Sequence, residues 1–270
     1  MLIADSSGGL GPALNLWVPP NIHLSGQSGL RSENLANTLT GNASNIQIHE
    51  SCKPYEQRQL VKALGDLYEI SALARDYAID HGPSMNRSDS DGTYNLYFGN
   101  SQTDTVVGAF EWLISGNKTG MILRCDDPSE ICLTQDVWDA TQWKLEEESN
   151  TTNLETVICP QTFETRRPLE QFCAFNYTVA GNETPNVEYF GIDLMHRLLH
   201  VLINSGSNSS SADIQYGYYA DLYEDCLQLA SENGEKAAFN SHNLQYFAAD
   251  VYGRTVAYPG IGCTGKNSGG

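Results

Sequence analysis

Residues 193–203 have the sequence DLMHRLLHVLI, in which His196 and His200 lie four positions apart within an apolar stretch. Apolar residues recur at helical spacing from about Val187 to Ile203, so this stretch is predicted to be a helix. Residues four apart on a helix share a face, and two imidazoles placed in this way can bind one metal ion. By itself the spacing is a weak signal, because two histidines can also cap neighbouring groups on a helix face.

The segment DIQYG at residues 213–217 strengthens the metal interpretation. It follows the two histidines across a polar loop, Asn204 to Ser211, which is rich in Ser, Asn and Gly. The carboxylate of Asp213 can supply a third ligand and leave a fourth position open for water or substrate. The candidate zinc ligands are therefore His196, His200 and Asp213.

The charge of the chain excludes several classes of partner. Its 270 residues include 33 acidic and 15 basic side chains, which give a formal net charge of −18. Nucleic-acid-binding proteins concentrate positive charge on one face, and anionic lipid repels a protein of this sign. The longest apolar runs also fall far short of the roughly 20 residues that span a bilayer. We therefore expect neither a nucleic-acid partner nor insertion in a membrane.

Cysteine and asparagine usage indicates an exported protein. The seven cysteines are consistent with three disulfides and one remaining thiol, and disulfides persist in oxidising compartments. Seven Asn-x-Ser/Thr glycosylation acceptors begin at Asn42, Asn86, Asn117, Asn150, Asn176, Asn182 and Asn208. A secreted or cell-surface glycoprotein is predicted.

The chain divides into three parts. Residues 1–45 are rich in Gly, Ser, Asn and Pro and are predicted to form an extended arm. Residues 46–262 are predicted to form one domain, within which the charged stretch Asp126 to Asn153 is a solvated insertion. Residues 263–270 are predicted to be a flexible tail.

Within the domain, helices outweigh strands. Besides the helix that carries the two histidines, helical periodicity predicts helices at Tyr55–His81, at about Tyr218–Ser231 and at about Glu235–Tyr252. Short strands are predicted at Tyr94–Phe98 and Gly120–Arg124, while Val106–Trp112 could be either strand or helix.

At the histidine helix and the DIQYG segment, the sequence resembles the aspzincins, fungal deuterolysin-like zinc metalloendopeptidases. Their signature is a His-Glu-x-x-His helix followed by Asp-x-x-Tyr-Gly. The likeness continues through these segments: Tyr97-Phe98-Gly99, Cys125-x6-Cys132, Cys159-Pro160, Cys226-x-x-Leu229-Ala230 and Ala238-x-Asn240-x-x-Asn243-x-x-Tyr246-Phe247-Ala248. It covers about residues 50 to 252.

The resemblance implies an α+β, zincin-like metalloprotease fold, mainly helical with a small antiparallel or mixed sheet. In that fold the helix of His196 packs on the helix that begins near Tyr55, and the loop of Asp213 folds back over it. The resemblance also implies that zinc is bound by the three candidate ligands. The hydroxyl of Tyr216 would stabilise an oxyanion, although packing in the core is an equally good interpretation of this tyrosine.

Arg197 departs from the peptidase pattern, because it stands where those enzymes have a glutamate that takes a proton from water. A guanidinium with a pKa above about 12 cannot serve as this base. With His-Arg-x-x-His in this helix, the sequence instead resembles a group of secreted fungal proteins related to the aspzincins. This group includes the pH-regulated antigen, which is a zincophore, and a major mould allergen. An ion pair with Asp193 on the helix surface is as good an interpretation of Arg197 as a catalytic role.

Two further features remain open at this point. His242 could be a fourth ligand or could support a ligand from behind, although a surface histidine is the favoured interpretation. The order of cysteines in the aspzincins implies the pairs Cys52–Cys125, Cys132–Cys159 and Cys173–Cys226, which would leave Cys263 unpaired.

Three functions follow from these observations. The first is a secreted zinc-binding protein of the antigen or zincophore type with a degenerate peptidase site. The alternative is an active zinc metalloendopeptidase, or another zinc hydrolase, that uses a base other than glutamate. The third is a pseudoenzyme without zinc whose surface contacts a host or cell-surface protein.

Overall fold

The computed structural model describes residues 45–83, 92–128, 130, 132, 144–145, 154–181, 185–206 and 217–265. Apart from Asn45, the predicted N-terminal arm lies outside these ranges. So do most of the predicted insertion, the loop from residue 207 to residue 211, and both Asp213 and Tyr216.

The described residues form a mainly helical α/β structure. The helices are α1 (Pro54–His81), α2 (Thr93–Phe98), α3 (Thr103–Ser115), α4 (Pro160–Thr165), α5 (Pro185–Glu188), α6 (Phe190–Gly206), α7 (Tyr223–Glu232), α8 (Gly234–Ala238) and α9 (Ser241–Tyr252). A short 3-10 helix spans Leu169–Gln171, and a π-helical turn spans Gly253–Ala257.

The long helix α1 confirms the prediction from periodicity. It begins with Pro54 in its first turn, where a missing backbone donor costs nothing. The carboxylate of Glu56 accepts a hydrogen bond from the backbone N–H of Lys53 at 2.6 Å, and this contact satisfies a donor at the helix start. At the other end, the N–H of Gly82 bonds to the carbonyl of Ala78 at 2.9 Å.

Two predicted elements differ from the structure. Tyr94–Phe98 is part of helix α2 and is not a strand, whereas Val106–Trp112, predicted as either strand or helix, lies inside helix α3. The predicted helix from about Glu235 to Tyr252 is broken into α8 and α9. The break occurs at Asn240, whose side-chain oxygen accepts from the backbone N–H of Tyr219 at 2.9 Å. Its side-chain amide donates to the carbonyl of Ala220 at 2.9 Å. Asn240 therefore holds the chain before α7 instead of continuing a helix.

A small sheet stands beside the helices. Its strands are β1 (Gln47–Ile48), β2 (Met121–Arg124), β3 (Lys144–Leu145) and β4 (Leu154–Val157), in the order β1-β2-β4-β3. β1, β2 and β4 run parallel, with Ile122 opposite Gln47 and Glu155, while β3 is antiparallel to β4. Of the two predicted alternatives, an antiparallel or a mixed sheet, the antiparallel one is thus wrong, because three of the strands run parallel. Parallel pairing requires crossover connections, and α1 with α2 and α3 provides the one between β1 and β2.

The core forms around α1, which contacts α3, α6 and α9. Gly191, at the start of α6, allows a close approach, since a Cβ there would lie 2.6 Å from Cβ of Asp66 on α1. Phe247 of α9 contacts five aromatic rings of the core, those of Tyr77, Tyr94, Tyr97, Phe98 and Phe110. The predicted packing of the histidine helix on α1 is confirmed.

Two of the three implied disulfides are confirmed and one is wrong. Cys52 pairs with Cys125, and Cys132 pairs with Cys159. Cys173 pairs with Cys263, so the thiol of Cys226 is free. The sulfur of Cys226 lies 3.6 Å from the carbonyl oxygen of Ala220 and 3.6 Å from the side-chain amide nitrogen of Asn240. The bond at Cys263 also ties the beginning of the predicted C-terminal tail to the domain.

The location of the free thiol is directly testable. Burial raises the pKa of the Cys226 thiol to about 12, so the reactive thiolate is scarce at neutral pH. We expect iodoacetamide to leave the native protein unlabelled and to label Cys226 alone after denaturation without reductant. Peptide mass spectrometry identifies the labelled cysteine. A label on Cys263 would instead support the pair Cys173–Cys226, which the resemblance implied.

Among the described helices, none combines the length and the apolar composition needed to cross a bilayer.

Candidate metal centre

The two histidines of α6 face each other through the same ring atom. Nε2 of His196 lies 3.0 Å from Nε2 of His200, and the ring centres are 4.7 Å apart. Two nitrogens bound to one tetrahedral zinc at about 2.0–2.1 Å are separated by about 3.3 Å. The spacing of four residues, which predicted a shared face, therefore brings two nitrogens close to the separation that one zinc ion requires.

The surroundings of both imidazoles favour their neutral form. Burial lowers the pKa of His196 well below its usual value, and the neighbouring His200 and His242 lower it further. Burial also lowers the pKa of His200 to about 4, with the guanidinium of Arg197 as the second cause. Only a neutral imidazole has a lone pair for a metal, so these two rings are ready to act as ligands.

The side-chain amide of Gln245 on α9 contacts Nδ1 of His196, the ring nitrogen that does not face His200. Its amide nitrogen lies 2.8 Å from Nδ1 of His196, and its amide oxygen is buried without a hydrogen-bond partner among the described residues. A half-turn of the amide would let that oxygen accept from Nδ1–H. The proton would then be fixed on Nδ1, and the lone pair on Nε2 would face His200. The orphaned oxygen of Gln245 thus fits a metal on Nε2, because ligating histidines usually donate their other N–H to such an acceptor.

Two more rings lie beside the pair, and a carboxylate lies beside one of them. His242 of α9 is buried, its ring centre is 5.2 Å from that of His196, and its Nδ1 lies 3.3 Å from a carboxylate oxygen of Asp221. The ring of Tyr218 lies 4.7 Å from that of His200 and is partly exposed at the surface. The interpretation of His242 as a surface histidine is therefore wrong.

Sequence reasoning missed Gln245, Asp221 and Tyr218. A signal existed for Gln245, because it lies three positions after His242 on a helix and therefore shares its face. No comparable pattern singles out Asp221 or Tyr218, which lie in the segment before α7. Their position depends on how Asn240 holds that segment.

Arg197 points into a buried ion pair. Its Nε lies 2.8 Å from Oδ1 of Asp193, and both side chains are at most 1% exposed. Its Nη1 donates to the hydroxyl of Thr156 and the carbonyl of Val157, both at 3.1 Å, so it joins α6 to strand β4. The predicted partner Asp193 is thus present, but the pair lies inside the protein and not on its surface. Arg166 approaches the other oxygen of the same carboxylate at 3.4 Å.

The described residues alone do not complete a metal site. Within them, no group of three or more His, Cys, Asp or Glu side chains is close enough to hold one ion. The predicted third ligand, Asp213, and the predicted oxyanion-stabilising residue, Tyr216, lie outside the described ranges. His196 and His200 are therefore the two predicted ligands that the structure brings together.

Comparison with known proteins agrees with the His-Arg-x-x-His motif. Residues 22–266 match the sequence model of a family described as "HRXXH: Putative peptidase family". The chain is 35% identical over 230 residues to the major allergen Asp f 2 of Aspergillus fumigatus, an alignment that covers 85% of this chain and 67% of the allergen. It is 37% identical over 223 residues to Antigen 1 of Emericella nidulans, with 82% and 73% covered. It is 34% identical over 222 residues to the pH-regulated antigen PRA1 of Candida albicans, with 82% and 67% covered.

Proposed function

Because this chain belongs to the HRXXH family, we propose that it is a secreted zinc-binding protein whose site resembles a zincin active site without its general base. The observation that carries the proposal is the 3.0 Å separation between the Nε2 atoms of His196 and His200. Asp213 is proposed as the third ligand, from the resemblance to the aspzincins, and the zincin-like architecture is proposed on the same ground.

A purely structural role for the histidine pair explains the geometry less well. Two neutral imidazoles can share a single proton between their Nε2 atoms. In that case the buried oxygen of Gln245 is left without a donor whenever His196 lacks a proton on Nδ1, and an unpaired buried polar atom costs about 1–3 kcal/mol. A metal on Nε2 removes this cost because it fixes the proton on Nδ1. The net charge of −18 also favours the accumulation of divalent cations near the protein.

The surroundings of Arg197 argue against efficient peptide hydrolysis. A bound zinc would act as a Lewis acid and could polarise a carbonyl group. Proton transfer needs a base within hydrogen-bonding reach, and Arg197 is a permanent cation whose described hydrogen bonds go to Asp193 and strand β4. We therefore assign metal binding and no hydrolytic step. Neither the alternative of an active hydrolase nor Tyr216 as its oxyanion-stabilising residue gains support from the described residues.

An extracellular or cell-surface location is consistent with the three described disulfides, which persist outside the cytosol. It also agrees with the names of the relatives, which call them antigens and an allergen. Glycosylation of the seven acceptor sites is part of this proposal. Contact with a host or cell-surface protein gains no support from the described part of the chain.

Metal analysis of the purified protein tests the proposal. We expect one zinc per chain after purification without chelator, loss of that zinc to an excess of chelator, and its recovery on adding zinc back. A protein with less than roughly a tenth of a zinc per chain would refute zinc binding, because ligand sets of this kind hold the ion tightly. The chelator-treated sample provides the baseline.

A further inference from the structure

A cleft between α1 and the beginning of α6 lies apart from the histidine pair. Its volume is about 460 Å³, which falls in the range of small-molecule pockets. One wall is a face of α1, whose lining residues lie three, four or seven positions apart and include Tyr55, Arg58, Gln59, Lys62 and Asp66. Arg166 and Phe190 also line the cleft, and neither histidine of α6 does. The cleft is therefore a second candidate binding site, separate from the metal centre.

The cleft concentrates positive charge in an acidic protein. Arg58, Lys62 and Arg166 line it, whereas Asp66 is the one acidic residue among its described lining residues. Over the whole chain the balance is reversed, with 33 acidic and 15 basic side chains. Cations that line a cleft with apolar walls attract an anion, because walls of low dielectric constant focus their field into it.

The negative charge of Asp66 is already balanced. One of its carboxylate oxygens contacts the ammonium of Lys62, and the other accepts a hydrogen bond from the backbone N–H of Leu169 at 3.1 Å. Lys62 also lies 2.7 Å from a carboxylate oxygen of Glu170, whose side chain is 64% exposed, so that solvent screens its charge. Lys62 and its acidic neighbours therefore form a group of their own, and the two arginines are the cations that face a ligand.

Arg58 and Arg166 are held in different ways. The side chain of Arg166 is 1% exposed, and its guanidinium is fixed because Nη1 donates to the carbonyl of Val187 at 2.5 Å and Nε lies 3.4 Å from Asp193. Arg58 is exposed and forms no ion pair with another described residue. A planar guanidinium offers paired N–H donors that match a carboxylate. Arg58 can therefore contact an acid directly, while Arg166 supplies a second positive charge from the wall.

The same cleft has an aromatic surface. The ring of Tyr55 is 46% exposed, and its hydroxyl already donates to the carboxylate of Glu56 at 2.8 Å. Behind it, the ring of Phe163 packs edge-on against both Tyr55 and Phe190, with ring centres 6.5 Å and 5.6 Å apart. Aromatic rings bind other flat rings in stacked or edge-on arrangements. The cleft therefore combines an exposed guanidinium with a surface suited to a flat apolar group.

We propose that this cleft binds a small aromatic acid, whose ring packs on Tyr55 and whose carboxylate is bound by Arg58 beside the charge of Arg166. The two guanidinium groups disfavour a cation. A bare inorganic anion leaves the aromatic surface in contact with water, and a neutral ring leaves Arg58 without a counter-ion. A flat ring that carries one carboxylate meets both requirements. This site requires no metal and is independent of the zinc binding proposed above.

Titration calorimetry of the full chain with cinnamate and cinnamamide tests the proposal. The two compounds have the same flat shape, but only cinnamate carries a negative charge at neutral pH. We expect cinnamate to bind with a dissociation constant of about 1 mM or lower, as is typical of ligands of this size. Cinnamamide should bind at least about tenfold more weakly, because hydrogen bonds to charged groups are stronger than those to neutral ones.

Arg58→Gln removes the exposed cation without disturbing a buried contact, so the variant should fold as the wild type does. It should bind cinnamate at least about tenfold more weakly and cinnamamide about equally well. The matched control is Arg75→Gln, since Arg75 also lies on α1 but pairs with Asp76 and Glu111 and does not line the cleft. The control should leave both affinities unchanged.

Gln59→Trp tests the location of the ligand, because an indole in place of this lining side chain fills part of the cleft. It should weaken the binding of cinnamate, with circular dichroism confirming that the variant is folded. Absence of saturable cinnamate binding to the wild type up to about 10 mM would overturn the proposal. So would equal binding of cinnamate and cinnamamide, an Arg58→Gln variant with wild-type affinity, or a Gln59→Trp variant with wild-type affinity.

Discussion

Replacing Arg197 by methionine is expected to destabilise the fold by about 3–5 kcal/mol, because it leaves the carboxylate of Asp193 buried without its closest cation. The ion pair is fully enclosed, and its guanidinium also holds strand β4 through Thr156 and Val157. Natural proteins are stable by only about 5–15 kcal/mol, so this loss is a large fraction of the total. Urea unfolding followed by circular dichroism, with the disulfides intact, measures the change.

A second arginine–aspartate ion pair, which is more exposed, provides a matched control for the Arg197 substitution. Arg254 and Asp250 on α9 are also four residues apart, and their Nε–Oδ1 distance is 2.9 Å, against 2.8 Å for Arg197 and Asp193. The side chain of Arg254, however, is 35% exposed, and Asp250 also accepts from the hydroxyl of Tyr97 at 3.2 Å. Arg254→Met is expected to cost about 1 kcal/mol or less. Equal losses in the two variants would show that burial does not set the strength of the Arg197 pair.

The burial of Asp193 also predicts the effect of Arg197→Glu, the substitution that would recreate the peptidase motif. Arg197→Glu places a second carboxylate beside Asp193 in a buried site, so we expect it to be at least as destabilising as the methionine variant. A single substitution should therefore not convert this chain into a peptidase. The arginine has become part of the connection between α6 and the sheet, and it is not simply a missing glutamate.

The sequence predicted the parts of the site that depend on local periodicity. The positions of His196 and His200 on one helix face follow from a repeat of 3.6 residues, and the partnership of Arg197 with Asp193 follows from the same geometry. Burial of that pair could not be predicted in this way, since it depends on Thr156 and Val157, forty residues earlier in the chain. The position of Asp221 behind His242 likewise depends on contacts between segments distant in sequence.

The errors in the predicted fold also arise from contacts between segments that are distant in sequence. The segment Tyr94–Phe98 is too short and too rich in aromatic residues for its period to distinguish strand from helix, and its burial against Phe247 determined the outcome. Cys226 and Cys263 differ in their partners because Cys226 is enclosed by Asn240 and Ala220. The order of cysteines along the chain carries no information about this enclosure.

Replacing His200 by alanine is expected to weaken zinc binding at least roughly a hundredfold while the fold remains intact. Zinc sites of four ligands contribute about 10–16 kcal/mol in total, so one ligand accounts for roughly 3 kcal/mol. His200 is only half-buried and, because its pKa is about 4, it is uncharged at pH 7, so its removal leaves no buried charge unpaired. The affinity is measured by competition with a chromogenic zinc chelator.

The control for this variant is His81→Ala. His81 also lies on a helix and against an aromatic ring, that of Tyr77 at 4.1 Å, as His200 lies against Tyr218 at 4.7 Å. A hundredfold loss in His200→Ala with no loss in His81→Ala would attribute the effect to the site and not to the loss of an imidazole. Asp213→Ala, titrated beside them, should weaken binding at least about tenfold, and unchanged affinity would remove Asp213 from the ligand set. If His200→Ala itself retains the wild-type affinity, the 3.0 Å pair is structural, and the family motif in this chain no longer marks a metal site.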